Sequence, residues 1–274
     1  MFRETIALLT LLISFESIAQ GKLLGTPGVS TFEGSAGGGI VPWAQLAGYD
    51  TENQWSANAF CSKVNLRDFD LTSCGVQVGL FDRVEVSYAE QTLGVQPLST
   101  NISQEVIGAK FRLYGDIVYS AWPQISVGIQ DKSLKDSDVA FALGASQSSG
   151  TDIYISASKL HLAAFAGRNL FWNMTARRTK ANETGFLGFS SAEESSSINV
   201  EFSTALFLNQ HWAIGFEYRQ KPDNLTLNES AWKDLFVAWF PQKNLSVTAA
   251  YLDFGTIAGL NVQNGTYLSL TGYF

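Results

Sequence analysis

The chain has 274 residues, 16% of them charged and 46% hydrophobic, which excludes a disordered, solvating chain. A formal net charge of -7 argues against a nucleic-acid surface. Two cysteines are too few for a disulfide scaffold or a structural zinc site, while 24 glycines and 13% aromatics set a β-rich bias.

The start reads as an address. Arg3 opens it, residues 5–15 (TIALLTLLISF) are an apolar run, and Ser17-Ile18-Ala19 is a small-x-small site. That order predicts a secretory signal peptide over residues 1–19, cleaved after Ala19. No cysteine follows the cut, so a lipoprotein signal is excluded. No later stretch approaches the ~20 apolar residues of a spanning helix.

Residues 20–54 are Gly-rich and carry Pro27, Pro42 and Trp43. Gly34 and the run 37–39 superficially suggest a phosphate loop. No strand precedes them and no Lys-Ser or Lys-Thr follows, so that motif is discounted. Two readings stay open: a periplasmic lead-in, or a plug folded into a lumen. Ile40, Val41, Trp43 and Leu46 argue against a solvated tail.

From residue 55 onward the sequence alternates with a period of two. At 107–121, Ile107, Ala109, Phe111, Leu113, Ile117 and Tyr119 oppose Lys110, Arg112, Tyr114 and Asp116. At 211–219, Trp212, Ile214, Phe216 and Tyr218 oppose Ala213, Gly215, Glu217 and Arg219. At the end, Leu268, Leu270 and Phe274 oppose Tyr267, Ser269, Thr271 and Tyr273. One face is apolar with aromatics near the strand ends, and the other carries both charge signs. Segments this long, with terminal aromatics, predict a transmembrane antiparallel up-and-down β-barrel.

Short turns are read at 81–83, 122–124, 167–169, 209–211 and 241–244, alternating with long loops at 91–104, 131–150, 180–197, 221–230 and 255–265. The resulting strands lie near 55–65, 69–80, 83–91, 105–121, 123–131, 151–165, 168–179, 197–208, 210–220, 231–240, 243–253 and 265–274. This is a barrel of about twelve strands over 55–274, with both ends in the periplasm. About fourteen is the alternative, if 37–49 contributes. Leu268, Leu270, Tyr273 and Phe274 form a C-terminal signature of the kind read by barrel-assembly machinery.

Several pieces resemble a known family. They are Glu33-Gly34 through the 37–39 glycines to Pro42-Trp43-Ala44, residues 79–89, 178–182 and 185–189, and Glu217-Tyr218-Arg219-Gln220-Lys221-Pro222 with 223–225. The chain resembles a Gram-negative family of uncharacterised outer-membrane barrels, known only as a domain of unknown function. The resemblance implies an outer-membrane location and a barrel. It implies no activity.

The candidate functional residues are the charges on the polar faces: Arg83, Glu85, Lys110, Arg112, Asp116, Arg177, Glu201, Glu217 and Arg219. They read either as an internal salt-bridge brace or as a charge-lined constriction for a polar solute. Cys61 and Cys74 flank a hairpin centred on Arg67-Asp68; a disulfide and two unpaired thiols are both open. His161 and His211 lie in no nucleophile context, so a barrel hydrolase ranks last and no enzyme activity is expected. No metal or cofactor is implied. The apolar loop pieces 139–143 and 185–189 are placed to cover a mouth or fold inward. The expected partners are outer-membrane lipid, the assembly machinery and a small solute, with no nucleic acid. A passive channel or carrier is the first functional reading. The second is a closed barrel whose outer loops bind a partner.

Overall fold

The computed structural model describes residues 22–191 and 196–274. The predicted signal peptide, 1–19, lies outside them. A two-residue hairpin comes first, β1 (Val29–Ser30) with β2 (Ala36–Gly37). The wall follows: β3 (Trp55–Leu66), β4 (Phe69–Leu80), β5 (Val84–Val95), β6 (Thr100–Tyr114), β7 (Gln124–Leu134) and β8 (Ser149–Phe165). It continues with β9 (Arg168–Thr179), β10 (Ser197–Phe207), β11 (Trp212–Arg219), β12 (Trp232–Gln242), β13 (Leu245–Asp253) and β14 (Asn264–Tyr273). Each wall strand pairs antiparallel with its neighbours in chain order, and β14 pairs with β3, for example Leu270 opposite Cys61. The twelve strands therefore form a closed transmembrane barrel. Closure is what a sheet in lipid requires, because every peptide N–H and C=O must find a partner. Among the described residues no helix is long and apolar enough to cross a membrane.

The period of two sorts the side chains. On β12, Trp232, Asp234, Phe236, Ala238 and Phe240 are buried inside, while Leu235, Val237 and Trp239 face out. The outer face is banded. Trp55, Phe81, Tyr119, Trp122, Phe165, Trp212 and Trp239 make an exposed aromatic belt near one end. Trp212 stacks on its cross-strand partner Trp239 at 5.7 Å. Val76, Val86, Ile107, Ile129, Ile153, Val200 and Leu268 form an aliphatic zone. Ion pairs follow at the other end, Lys63–Asp70 at 2.8 Å and Lys135 with Glu90 and Glu105 at 3.2 and 2.9 Å. Trp55 to Lys63 at ~3.3 Å per residue and ~40° tilt spans about 20 Å, close to an apolar band of ~25 Å.

The wall departs from the sequence pattern first at β6. The strand read over 105–121 stops at Tyr114. The β6–β7 register slips between Arg112 and Tyr114, and Gly115 takes φ +75°. The Asp116 carboxylate then accepts the Val118 and Tyr119 N–H groups at 2.8 and 2.7 Å. That local turn competes with the ladder and ends it, so Ile117 and Tyr119 belong to a connection. Conversely, the loop read over 91–104 shrinks to 96–99, because both flanking strands run on and Pro97 lies in a tight 3-10 turn. Short and long connections therefore do not alternate strictly. The end that carries the long connections 135–148, 180–196, 220–231 and 254–263 also carries the short ones 67–68 and 96–99. The fourteen-strand alternative fails, since 37–49 adds no wall strand. Cys61 and Cys74 stand directly opposite each other on β3 and β4 and are disulfide-bonded.

Glycines accommodate inward aromatic rings from neighbouring strands. A Cβ on Gly215 would lie 2.3 Å from the ring of Phe236, its partner on β12, and 2.2 Å from the Thr204 carbonyl. Gly215→Val should therefore cost about 1–3 kcal/mol by overpacking. The loss of the heat-modifiable gel band would move to lower temperature, while the outward Ile214→Val would leave it in place. Equal behaviour of the two variants would contradict this packing.

Candidate functional site in the barrel lumen

Almost every residue from 26 to 50 is buried inside the barrel. This segment has little regular structure, so its peptide groups need partners elsewhere. The wall supplies them. Ser73 Oγ and Gln91 Nε2 donate to the Phe32 carbonyl, both at 2.5 Å. Gln77 Nε2 donates to Gly34 O at 2.6 Å, and Thr175 Oγ1 to Pro42 O at 2.8 Å. Tyr273 Oη donates to Gly28 O at 2.9 Å. Ser158 Oγ accepts the Ala44 N–H at 2.9 Å. Fit is tight where the segment meets β11: a Cβ on Gly38 would fall 2.0 Å from Glu217 Oε1.

Charge organises the centre. Lys132, Asp152, Arg177, Glu201 and Arg219 come from five successive strands, β7 to β11, and alternate in sign. Neighbours pair at 2.8, 3.1, 2.6 and 3.7 Å along that series. Glu33 of the inner segment enters among the three cations. Lys132 Nζ lies 2.5 Å from it, Arg177 3.4 Å, and Arg219 donates through both terminal nitrogens at 2.7 and 2.8 Å. Three cations thus meet three carboxylates, and all six side chains are nearly free of solvent. Burial pushes the Glu33 carboxyl up, but Arg219, Lys132 and Arg177 together outweigh it and hold it well below the usual carboxylate range.

Of the nine charges singled out in the sequence, six face this interior. Arg177, Glu201 and Arg219 belong to the ring. Glu85 and Lys110 pair at 3.2 Å and grip the inner segment's backbone. Glu85 accepts the Ala36 and Ala47 N–H groups at 3.1 and 2.8 Å, and Lys110 donates to Ala36 O and Gln45 O, both at 2.8 Å. Glu217 accepts the Ile40 N–H at 2.9 Å and stands opposite Asp234 in the ladder. The other three lie elsewhere. Arg83 is exposed at the turn after β4. Arg112 is at the rim, bonded to Asp82 and, at 3.2 Å, to Asp116 in the connection that ends β6. Glu33, Lys132, Asp152 and Asp234 were missed. Of the C-terminal residues, Leu268 and Leu270 face out while Tyr273 is buried, and the Phe274 N–H donates to Ala57 O at 2.8 Å. His161 accepts from Trp172 Nε1 at 3.0 Å on the exposed face, and His211 Nδ1 contacts Phe240 O at 2.7 Å. Among the described residues no cluster of three metal-ligating side chains occurs.

The two mouths differ. At the end bearing the aromatic belt, two cavities of about 220 and 300 Å³ flank the chain at Leu23 and Thr26. At the other end, 180–190 fold inward, with Phe186, Leu187 and Phe189 buried. The 135–148 connection, which carries α1 (Asp138–Ala142), bonds to this cap through Gln147 and Phe189. Lys221 Nζ lies 2.5 Å from Glu183 and 2.8 Å from Glu229, and Asn224 Nδ2 donates to Asn182 Oδ1 at 3.0 Å. Between cap and ring lies a cavity of about 10 Å³, the room of one water.

The chain matches the family described as "Protein of unknown function (DUF3034)" over residues 26–271. No curated protein matches it. Among solved structures it is similar to a KdgM porin, with 8% identity and a TM-score of 0.49, covering 80% of this chain and 99% of that one. It is also similar to a NanC porin, with 11% identity, a TM-score of 0.49 and the same coverage. Likeness at this level assigns neither solute nor activity.

The cap carries a pH dependence. Burial raises Glu183 from its ordinary 4.5 to about 8, with Lys221 opposing and Glu229 adding to the shift. An acid raised on folding favours the docked state fully below its unfolded value and loses that contribution as pH rises through the folded one. Hydrogen exchange of residues 180–190 should therefore accelerate between about pH 4.5 and about pH 8, beyond its intrinsic rate, and level off above that. Glu183→Gln should abolish the excess. A wild-type excess that the variant retains would contradict the assignment.

Proposed function

The chain belongs to the DUF3034 family of proteins of unknown function, and on that footing we propose that it is a plugged outer-membrane pore. In this reading it is a passive channel or carrier for a small solute, closed by its own residues 22–54. The observation that carries the reading is the polarity of the contact between plug and wall. A permanently filled barrel is held more firmly by apolar packing than by buried ions, whose desolvation offsets their attraction. Here the inward wall presents Ser, Gln, Asn, Thr and paired charges, and many of them bond the plug, among them Ser73, Gln77, Glu85, Lys110, Ser158, Thr175 and Arg219. Such a wall remains well solvated when water replaces the plug, so both states are accessible. The plug is covalently joined to the wall only through Gln54 and Trp55. Twelve strands enclose more space than the side chains of an eight-stranded barrel fill, and less than the aqueous bore of a sixteen-stranded porin.

Export through a cleaved signal peptide, surrounding outer-membrane lipid and assembly through the C-terminal strand complete the proposal. The second reading is a closed barrel whose outer loops bind a partner. It is favoured by the cap over 180–190 and by Phe141 and Leu143, which α1 and its end leave exposed.

Planar-bilayer recording separates the two. Removing residues 22–49 should give ohmic steps larger and more frequent than those of the full chain. Silence from a truncated barrel that still shows a heat-modifiable gel shift would overturn the channel and favour the outer loops.

A further inference from the structure

Glu33 is held as a ligand is held. Its planar carboxylate takes the forked guanidinium of Arg219 in two hydrogen bonds, with Lys132 and Arg177 closing the cradle. Bidentate pairing of this kind recognises carboxylate shape as well as charge. All three cations belong to the wall, and the carboxylate belongs to the plug. When the plug leaves, Lys132, Arg177 and Arg219 lose Glu33 and keep Asp152 and Glu201 as their ion-pair partners, with Glu217 the other inward carboxylate of β11. The three cationic donors that held Glu33 then face the water-filled lumen and are open to another carboxylate.

The plug places a ring beside that carboxylate. Phe32 packs against Trp232 of β12 with centroids 5.6 Å apart. The Arg219 guanidinium stands 5.5 Å from the Phe32 ring and 5.9 Å from the Trp232 ring. Trp232 is held from behind by Phe254, stacked at 3.9 Å with an interplanar angle of 3°. Two groups at this site also have no partner in the closed state. Trp232 Nε1 lacks an acceptor and Asp152 Oδ1 lacks a donor, and both side chains are more than nine-tenths buried. A hydroxyl group supplies the acceptor that the one lacks or the donor that the other lacks.

We propose that the Lys132–Arg177–Arg219 cradle with Trp232 is the solute site of the open barrel, that its ligand class is a cyclic hydroxylated carboxylate, and that Phe32-Glu33 occupies it as a built-in mimic. This rests on the plugged-pore reading and adds the solute class to it.

The test titrates the barrel lacking residues 22–49 with sodium glucuronate, glucose, cyclohexanecarboxylate and acetate, by calorimetry and as blockers of bilayer current. Glucuronate should bind at least about tenfold tighter than glucose, the discrimination expected of a charge-assisted bidentate contact. It should also exceed cyclohexanecarboxylate and acetate. Arg219→Gln should remove the carboxylate preference, and Trp232→Ala the preference for a ring over acetate. Conducting barrels in which glucuronate binds no better than glucose would overturn the site and leave the channel standing. Binding in a silent barrel would overturn the channel and keep the site. Should the truncated barrel not refold, Glu33→Ala in the full chain tests the cradle. Acetate should raise its unfolding temperature relative to acetamide, and to chloride at equal ionic strength, with no such effect on the wild type. Equal effects of the three additives would overturn the cradle.

Discussion

A sheet in hydrocarbon has nowhere to leave an unpaired peptide group. The other features of this molecule follow from that constraint. Pairing β14 with β3 removes the last edges, and twelve closed strands then enclose a lumen too wide for side chains alone to fill. The inner segment fills it, and brings its own unpaired peptide groups with it. Those groups explain the inward Ser, Thr, Gln and Asn side chains of the wall. They also explain why Glu85 and Lys110 hold backbone as much as each other.

The same logic governs the charges. Desolvating an ion costs several kcal/mol, so a buried charge persists best in a neutral, paired set. The wall series from Lys132 to Arg219 is one carboxylate short of that condition, and Glu33 completes it. The plug is thereby registered against β7–β11 by electrostatics. Apolar contacts anchor it elsewhere: Trp43 rests on Phe171 at 4.3 Å, and Phe32 on Trp232. Hydrogen bonds to the wall are each worth only about 0.5–1.5 kcal/mol net, because water offers the same partners. The contact is extensive and is built from many individually weak bonds.

Much of this was legible in the sequence. The period of two fixes which residues of β11 face the lumen, because one face is so much more polar than the other. The strand count follows from that period and from the turn residues. What the pattern misses is decided locally or at a distance. Asp116 stops β6 by bonding two N–H groups of its own turn, a competition that alternation does not register. Lys132 lies one residue past the strand end read at 131; extending the inward parity of Ser126 and Gln130 would have found it. Asp152 lies inside its predicted strand and shares the inward parity of Tyr154 and Ser156. Glu33 had no such signal. Its partners lie 99 to 186 positions away in the chain, and only the folded lumen brings them together.

In the proposed pore, displacement of the inner segment opens the barrel. A cross-link tests it directly. Ala44 and Ser158 are joined by a hydrogen bond of 2.9 Å between plug and β8. In a Cys61→Ala, Cys74→Ala background, Ala44→Cys with Ser158→Cys would tether the two by a disulfide. Single-channel recording under oxidising conditions should show a silent barrel, and adding reductant should bring opening steps in the same bilayer. Identical conductance before and after reduction would contradict the account.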